Sequence, residues 1–163
     1  MTEQHEPSTT ELAGLATRLR DLDWSWELND VPDLLAEFGW RAVVSRPDWV
    51  ILDTGLGAGS GKVHGEDGKA VRIETRLTEF VEEDAAGAQD LHTTFDEITD
   101  VLTEVLGHPT ARIPGQWPQI RWAGPARTVV LVRSPVSVVL YLVTNARLAA
   151  DDRNVEFEKR NPR

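Results

Sequence analysis

Apolar residues near the N-terminus recur at helical spacing. Leu12, Leu15, Leu19 and Leu22 share one side, which predicts a short amphipathic helix. Ser8 with Glu11 fits a capping box at its start, each side chain satisfying a free amide of the first turn. The next stretch, DWSWEL, alternates instead, and Trp24, Trp26 and Leu28 read as a short extended segment. VPDLLAEF is a second helix, with Asn29 or Asp30 as cap, Pro32 in its first turn and Gly39 as its left-handed stop.

Period-two patterning then takes over. RAVVSR (41–46) and WVILDT (49–54) read as strands separated by Pro47. AVRIETRLTEF (70–80) places Val71, Ile73 and Leu77 on one face and Arg72, Glu74 and Arg76 on the other. A long helix is predicted from about Ala85 to Leu106, buried along Leu91, Phe95, Ile98, Leu102 and Val105 and ended by Gly107 and Pro109. QIRW (119–122), RTVVLVR (127–133) and SVVLYLVTN (137–145) read as three more strands, divided by Gly124-Pro125 and Ser134-Pro135 turns.

This order predicts an α+β domain: a mainly antiparallel sheet of about six strands, βββ-α-βββ, covered by one long helix, with two short N-terminal helices. The strand connections are too short for parallel crossovers. Residues 1–153 form a single domain, and 154–163 form a charged C-terminal tail expected to fray.

Composition narrows the function. The chain has 163 residues, no cysteine, and 27 acidic against 17 basic side chains, a net charge of −10. One domain of this length buries about two-thirds of its unfolded surface without metal or disulfide. Disulfides, thiolate metal sites and Cys nucleophiles are excluded. The acidic excess argues against nonspecific binding to nucleic acid or anionic lipid and suits a basic protein partner. Arg outnumbers Lys by 14 to 3, a bias that reads as a GC-rich genome. MTEQHEPSTTELAG lacks the basic-then-apolar pattern of a signal peptide. The most apolar run, Thr128 to Asn145, is interrupted by Arg133, Ser134 and Pro135 and is too short to span a bilayer. A soluble, cytoplasmic protein is expected, with no membrane or nucleic-acid partner.

The stretch ILDTGLGAGSGK (51–62) invites two chemistries. A phosphate-cradling loop requires Gly, four residues, then Gly-Lys-Ser/Thr. Here Val63 follows Gly61-Lys62, Leu56 stands where the first glycine belongs, and VHGEDGKA cannot begin a helix to receive the phosphate. The dinucleotide fingerprint fails at Ser60. An aspartic protease would need a second carboxylate to share a proton with Asp53, and one Asp-Thr-Gly supplies only half of that dyad. Gly55, Gly57, Gly59, Gly61, Gly65 and Gly68 are therefore expected to form a long flexible connection that binds no nucleotide.

The histidines offer no better site. His5 lies near the N-terminus, His64 in the glycine connection, and His108 at a helix end where it can favour the dipole. His92 and Asp96, four apart, can pair on a helix surface, but no compact His/Asp/Glu cluster offers a metal site. A Ser-His-Asp triad is not ruled out by sequence, yet no Gly-x-Ser-x-Gly elbow presents a serine, and Ser60 sits between mobile glycines. No catalytic residue, cofactor or metal is assigned.

Six tryptophans against one tyrosine is the more informative balance. Trp40, Trp49 and Trp122 adjoin apolar strands and belong to the core or a sheet face. Trp24 and Trp26, flanked by Asp23 and Glu27, and the loop residue Trp117 are candidate partner anchors, packing against the small helices being the ordinary alternative for the first two. Along the long helix Thr93, Glu97, Asp100 and Glu104 lie opposite the apolar stripe, with Asp90 and Asp96 beside them. Glu79, Glu82, Glu83 and Asp84 lead into it, so the acidic field exceeds one solvated face. Trp24, Trp26, Glu97, Asp100, Glu104 and Trp117 form the candidate partner-binding set.

DWSWELNDVPDLLAEFGW, TEVLGHPT and VVLYLVTN, in this order, resemble a family of small acidic actinobacterial proteins of unknown function, over about Leu12 to Asp152. Small acidic proteins of this kind resemble immunity proteins of polymorphic toxin systems, and the order of elements loosely resembles secretion-chaperone-like folds. The resemblance implies a non-enzymatic protein that binds a toxin or secreted effector with a basic surface. The alternatives are a chaperone or adaptor whose sheet groove holds an apolar segment, and a small-ligand binder or enzyme. The last would use a pocket between sheet and helices, with Asp53 and the glycine segment at its mouth.

Overall fold

The computed structural model describes residues 6–160. In chain order the elements are α1 (Thr9–Arg20), α2 (Val31–Phe38), β1 (Arg41–Arg46), β2 (Trp49–Asp53), β3 (Ala58–Glu66), β4 (Lys69–Arg76), α3 (Ala85–Leu106), β5 (Ala111–Ile113), β6 (Gln119–Ala123), β7 (Arg127–Arg133), β8 (Val138–Thr144) and α4 (Asn145–Arg160). The strands form one sheet in the order β1-β2-β3-β4-β8-β7-β6-β5. Every pairing in it is antiparallel. Two four-stranded meanders thus meet at β4 and β8, with α3 as the crossover between them.

The helix signals work as the sequence predicts except at the start of α2, where Asp30 makes no capping bond and its carboxylate accepts instead from Ser25 Oγ at 2.6 Å. Ser8 Oγ accepts from the Glu11 amide at 3.2 Å while Glu11 Oε1 accepts from the Ser8 amide at 3.0 Å, which closes the capping box of α1. Gly39, at φ 69°, ends α2 in the left-handed region. The Asp84 carboxylate caps α3 by accepting from the Gly87 amide at 2.7 Å.

One face of the sheet supplies Val50, Leu52, Val63, Ile73, Val129, Leu131, Leu140 and Leu142 to the core, against Leu12, Ala16 and Leu19 of α1 and Leu91, Phe95, Ile98 and Leu102 of α3. Burying side chains such as Leu19 and Leu102 contributes about 1.5–3 kcal/mol each. On the opposite face, Val130, Tyr141 and Val143 pack with Leu148 of α4.

Four expectations need correction. The sheet has eight strands rather than six, because the glycine segment supplies β3 and the three-residue β5 is too short for its pattern to register. The flexible connection expected from Gly55 to Gly68 is largely this central strand, paired on both sides with β2 and β4. Two of its glycines are there for what crosses them. A Cβ on Gly61 would collide with the Thr54 methyl and crowd Leu52 Cβ and Glu74 O at 3.2 Å, and one on Gly65 would collide with Leu28. The β3–β4 turn, with Asp67 at φ 52° and Gly68 at φ 80°, has the left-handed pair of an Asp-Gly hairpin.

DWSWEL is not extended either. Trp26 sits at φ 60°, and the segment contributes only a single bridge, Glu27 to Lys69, before a 3-10 turn at Leu28–Asp30. Finally, residues 145–160 form α4, so the tail expected from 154 continues a helix as far as 160. This helix has no apolar stripe and is held by Leu148 packing and by ion pairs: Arg147 with Asp151 at 3.1 Å and with Glu66, and Arg121 with Asp152 at 2.8 Å. Thr144 Oγ1 starts the helix by accepting from the Arg147 amide at 3.2 Å.

Gly61→Ala is expected to lower the unfolding free energy by about 1–3 kcal/mol in urea titrations, because the sheet must move away from Thr54. Gly14→Ala in α1, where a Cβ meets open space, is expected to stabilise by up to about 1 kcal/mol. A Gly61→Ala midpoint equal to the wild type would overturn the close-packing account.

Candidate functional site

Asp53, half of the protease-like motif, is committed to a turn. Its Oδ1 accepts from the Gly55 and Gly57 amides at 2.9 and 3.2 Å, and its Oδ2 receives Arg41 Nη2 at 3.1 Å. Ser60 is buried rather than mobile, and its Oγ accepts from the Thr54 amide at 2.8 Å. Thr54 Oγ1 lies 3.1 Å from that hydroxyl and accepts from Thr75 Oγ1 at 2.9 Å. This chain of hydroxyls ties the β2–β3 turn to β4.

His64 faces the outer side of β3, bonded to Glu74. By register, Ile51, Lys62, Glu74, Tyr141, Val130 and Arg121 form one row across that outer face. Trp49, His64, Arg72 and Val143 lie in the neighbouring row. Lys62 Nζ and the Arg46 guanidinium lie 5.5 and 5.8 Å from the Trp49 ring centre, and the Arg72 guanidinium 3.8 Å from that of Tyr141. Arg72 Nη2 reaches Glu74 at 3.5 Å, while its buried Nε has no partner. Burial pushes the Tyr141 hydroxyl up. At Glu74 burial also pushes up, but the His64 hydrogen bond and the charges of Arg72, His64 and Lys62 outweigh it and hold the carboxyl below its ordinary range.

His92 pairs on the surface as its spacing predicts. Arg133 donates to Nδ1 at 3.1 Å, which leaves the Nε2 proton facing Asp96 at 3.5 Å. His108 lies exposed just past the end of α3, and His5 is outside the described residues. Among the described residues no group of three or more His, Asp or Glu is placed to hold a metal ion.

The candidate anchors separate. Trp26 is 5% exposed, its ring under the Arg127 guanidinium at 4.3 Å, and its Nε1 is buried without a partner. It is a core residue, not a surface anchor. Trp117 is exposed between β5 and β6. Trp24 is half-buried, 5.7 Å from the Trp26 ring centre, with Nε1 donating to Asp30 O at 2.9 Å. It lines a cleft of about 480 Å³ between the end of α1 and α2, whose walls also carry Asp21, Asp23, Asp33 and Glu37. Sequence reasoning missed this convergence, because Asp33 and Glu37 belong to a different helix. On α3, Glu97, Asp100 and Glu104 are exposed, and among the described residues none has an ion-pair partner. Arg20 Nη1 donates to Val105 O at 3.0 Å, so the ends of α1 and α3 meet and set Asp21 and Glu104 at the same end of the domain.

A second cleft, about 550 Å³, opens between α1, the end of α2 and the β2–β3 turn. Phe38 and Trp40, stacked with ring centres 4.5 Å apart, form part of its wall. Arg18, Arg76 and Glu11 are its charged members.

The chain belongs to the Family of unknown function (DUF6301), whose model matches residues 10–144, from α1 through β8. No curated protein and no solved structure gives a significant match. No helix among the described residues is long and apolar enough to cross a membrane.

Glu74 sets a pH dependence. Its carboxyl titrates lower folded than unfolded, so its stabilisation is complete above the unfolded value of about 4.3 and is lost as pH falls through the folded value. Glu74→Gln should therefore be less stable than the wild type at about pH 7, with the gap closing towards about pH 3. Urea titrations at both pH values would refute this if the gap were the same.

Proposed function

We propose that the chain is a non-enzymatic, protein-binding protein of the immunity type, which neutralises a cognate toxin by covering its active site. The observation that carries this reading is the Trp24 cleft, where Trp24 stands among Asp21, Asp23, Asp33 and Glu37, four carboxylates against the single guanidinium of Arg18 in the same lining. Its chemistry suits a basic side chain of a partner, which would gain a cation–π contact and a carboxylate together. Asp21 is partly engaged, since Arg20 holds its carboxyl below the ordinary value by a hydrogen bond. Asp23, Asp33 and Glu37 have no ion pair among the described residues.

The α3 surface supplies the longer-range part. The helix contains no Lys or Arg, and Asp90, Asp96, Glu97, Asp100 and Glu104 are all exposed. Such a single-sign surface raises the rate of encounter with a basic partner more than it tightens the final complex. Trp24 then acts as the anchor and Glu97, Asp100 and Glu104 as the steering rim. Trp117, exposed at the β5–β6 loop, would need a partner that reaches the far edge of the sheet. The chaperone alternative finds less support. The outer sheet face offers Lys62, His64, Arg72 and Glu74 rather than an apolar groove, and α4 covers Tyr141 and Val143. The second cleft favours a small ligand as an additional role.

The test begins with the partner captured from the native host, expressed alone and with this protein; growth arrest relieved by co-expression is the immunity phenotype. Replacing Glu97, Asp100 and Glu104 with Gln should slow association several-fold at low salt, an effect that fades as screening shortens to about 8 Å at physiological salt. Asp33→Asn with Glu37→Gln should instead hasten dissociation about tenfold or more. Wild-type rates for both variants, with the fold confirmed by circular dichroism, would remove the acidic surfaces from the interface. Unrelieved growth arrest would end the immunity reading.

A further inference from the structure

We propose that the cleft between α1, the end of α2 and the β2–β3 turn binds a small planar aromatic monocarboxylate, recognised by Arg76 and the Phe38–Trp40 pair. This cleft shares only Arg18 with the Trp24 cleft, and the inference does not depend on the partner-binding reading.

The starting point is Arg76. Its guanidinium is held in place by Nη1 donating to Thr78 O at 2.5 Å and Nη2 donating to Leu56 O at 3.0 Å, and it stacks at 4.0 Å on the Phe80 ring centre. It is half-buried and forms no ion pair among the described residues. Burial depresses its pKa, which the charges of Glu79 and Glu6 only partly offset. A cation immobilised by neutral carbonyls, lining a cleft and in ion-pair contact with no carboxylate among the described residues, is suited to an anion from outside. The exposed Arg18, with Nη1 on Glu37 O at 3.3 Å, adds a second positive charge to the same cleft.

The shape and the remaining charge define the ligand further. Phe38 and Trp40 stack at an interplanar angle of 19° and are both only partly buried, so the pair offers an aromatic wall to a planar ring. Glu11 also lines the cleft, and its carboxylate is fixed by the Ser8 amide. A carboxylate conjugated with its ring is planar, so it meets the guanidinium plane and the flat Phe38–Trp40 wall together, which favours a monocarboxylate over a tetrahedral phosphate. A volume of about 550 Å³ lies within the range of small-molecule sites. Gly14, on the cleft side of α1, leaves the space open: a Cβ there meets nothing within 4 Å.

The probes are 2-naphthoate, its neutral counterpart 2-naphthamide, and 2-naphthyl phosphate, titrated into the full chain and followed by the indole N–H resonance of Trp40. Naphthoate should bind saturably with Kd near about 1 mM, as expected of a fragment, and at least about fivefold tighter than naphthamide or the phosphate. Gly14→Leu should fill the cleft and abolish binding without lowering the melting temperature. Arg76→Gln should bring naphthoate down to the naphthamide affinity. Should Arg76→Gln fail to fold, Gly14→Leu and the ligand comparison decide the question. Equal binding of naphthoate and naphthamide to the wild type, tighter binding of the phosphate, wild-type binding by Gly14→Leu, or no saturable binding would each overturn the proposal.

Discussion

The architecture depends on one non-local pairing, that of β4 with β8. Arg72 through Arg76 lie opposite Val143 through Val139, and this seam turns two separate meanders into one sheet. Beyond the strands the same two segments stay bonded: Leu77 N–H donates to Val138 O at 2.8 Å, Val138 N–H to Thr78 Oγ1 at 3.1 Å, and Val81 N–H to Val136 O at 3.0 Å. The whole of α3 and the β5–β7 meander lie in the loop that this pairing closes. Closing such a loop costs chain entropy before any contact rewards it, so the seam is a candidate for the slow event in folding.

Once the seam is made, the alternation of β2, β3 and β4 is committed to two different environments. On one side apolar residues of β2, β3, β4, β6, β7 and β8 converge with those of α1, α2 and α3, and Ile73 and Leu142 are paired directly across the seam. On the other side the same alternation leaves charged groups in rows, and these find partners across strands as well as along them. Glu74 bonds to His64 of the neighbouring strand, and Arg72 stacks on Tyr141 across the seam. The arrangement has a cost at Arg72 Nε, buried without an acceptor, where an unsatisfied donor costs about 1–3 kcal/mol.

A second strained point lies between α1 and α2. Trp26 adopts φ 60° with its Nε1 unpaired, yet it is pinned by Ala70 N–H donating to its carbonyl at 2.8 Å and by Arg127 over its ring. The neighbouring Trp24 is thereby set at the mouth of the acidic cleft instead of in the core. Both clefts are walled by α1 and α2 rather than by the sheet alone, and Arg18 lines each of them. The sheet and α3 form the scaffold, and the groups proposed for recognition are drawn from scaffold and N-terminal segments alike: Trp24, Asp33 and Glu37 beside α1 and α2, Arg76 from β4, and Glu97, Asp100 and Glu104 from α3.

Much of this was legible in the sequence where structure is set locally. The capping box at Ser8, the stop at Gly39, the full extent of α3 and the strand at RAVVSR follow from residues within one element, because helical and extended periods depend on a segment's own backbone. The exposed row Glu97, Asp100 and Glu104 was readable for the same reason. What the sequence concealed depends on neighbours. β3 looks like a loop because its glycines answer to Thr54 and Leu28 lying across them, although Asp67-Gly68 marked its hairpin. α4 has no apolar stripe and is ordered by Glu66, Arg121 and Leu148 contacts that no local pattern records. Trp24 and Trp26 alternate identically along the chain, and only tertiary contacts, Ala70 bonded to the Trp26 carbonyl and Arg127 over its ring, bury one while the other lies beside Asp33 and Glu37. Periodicity fixes which side of a segment is turned inward; the tertiary pairing decides what stands opposite it, and a binding site is made of what stands opposite.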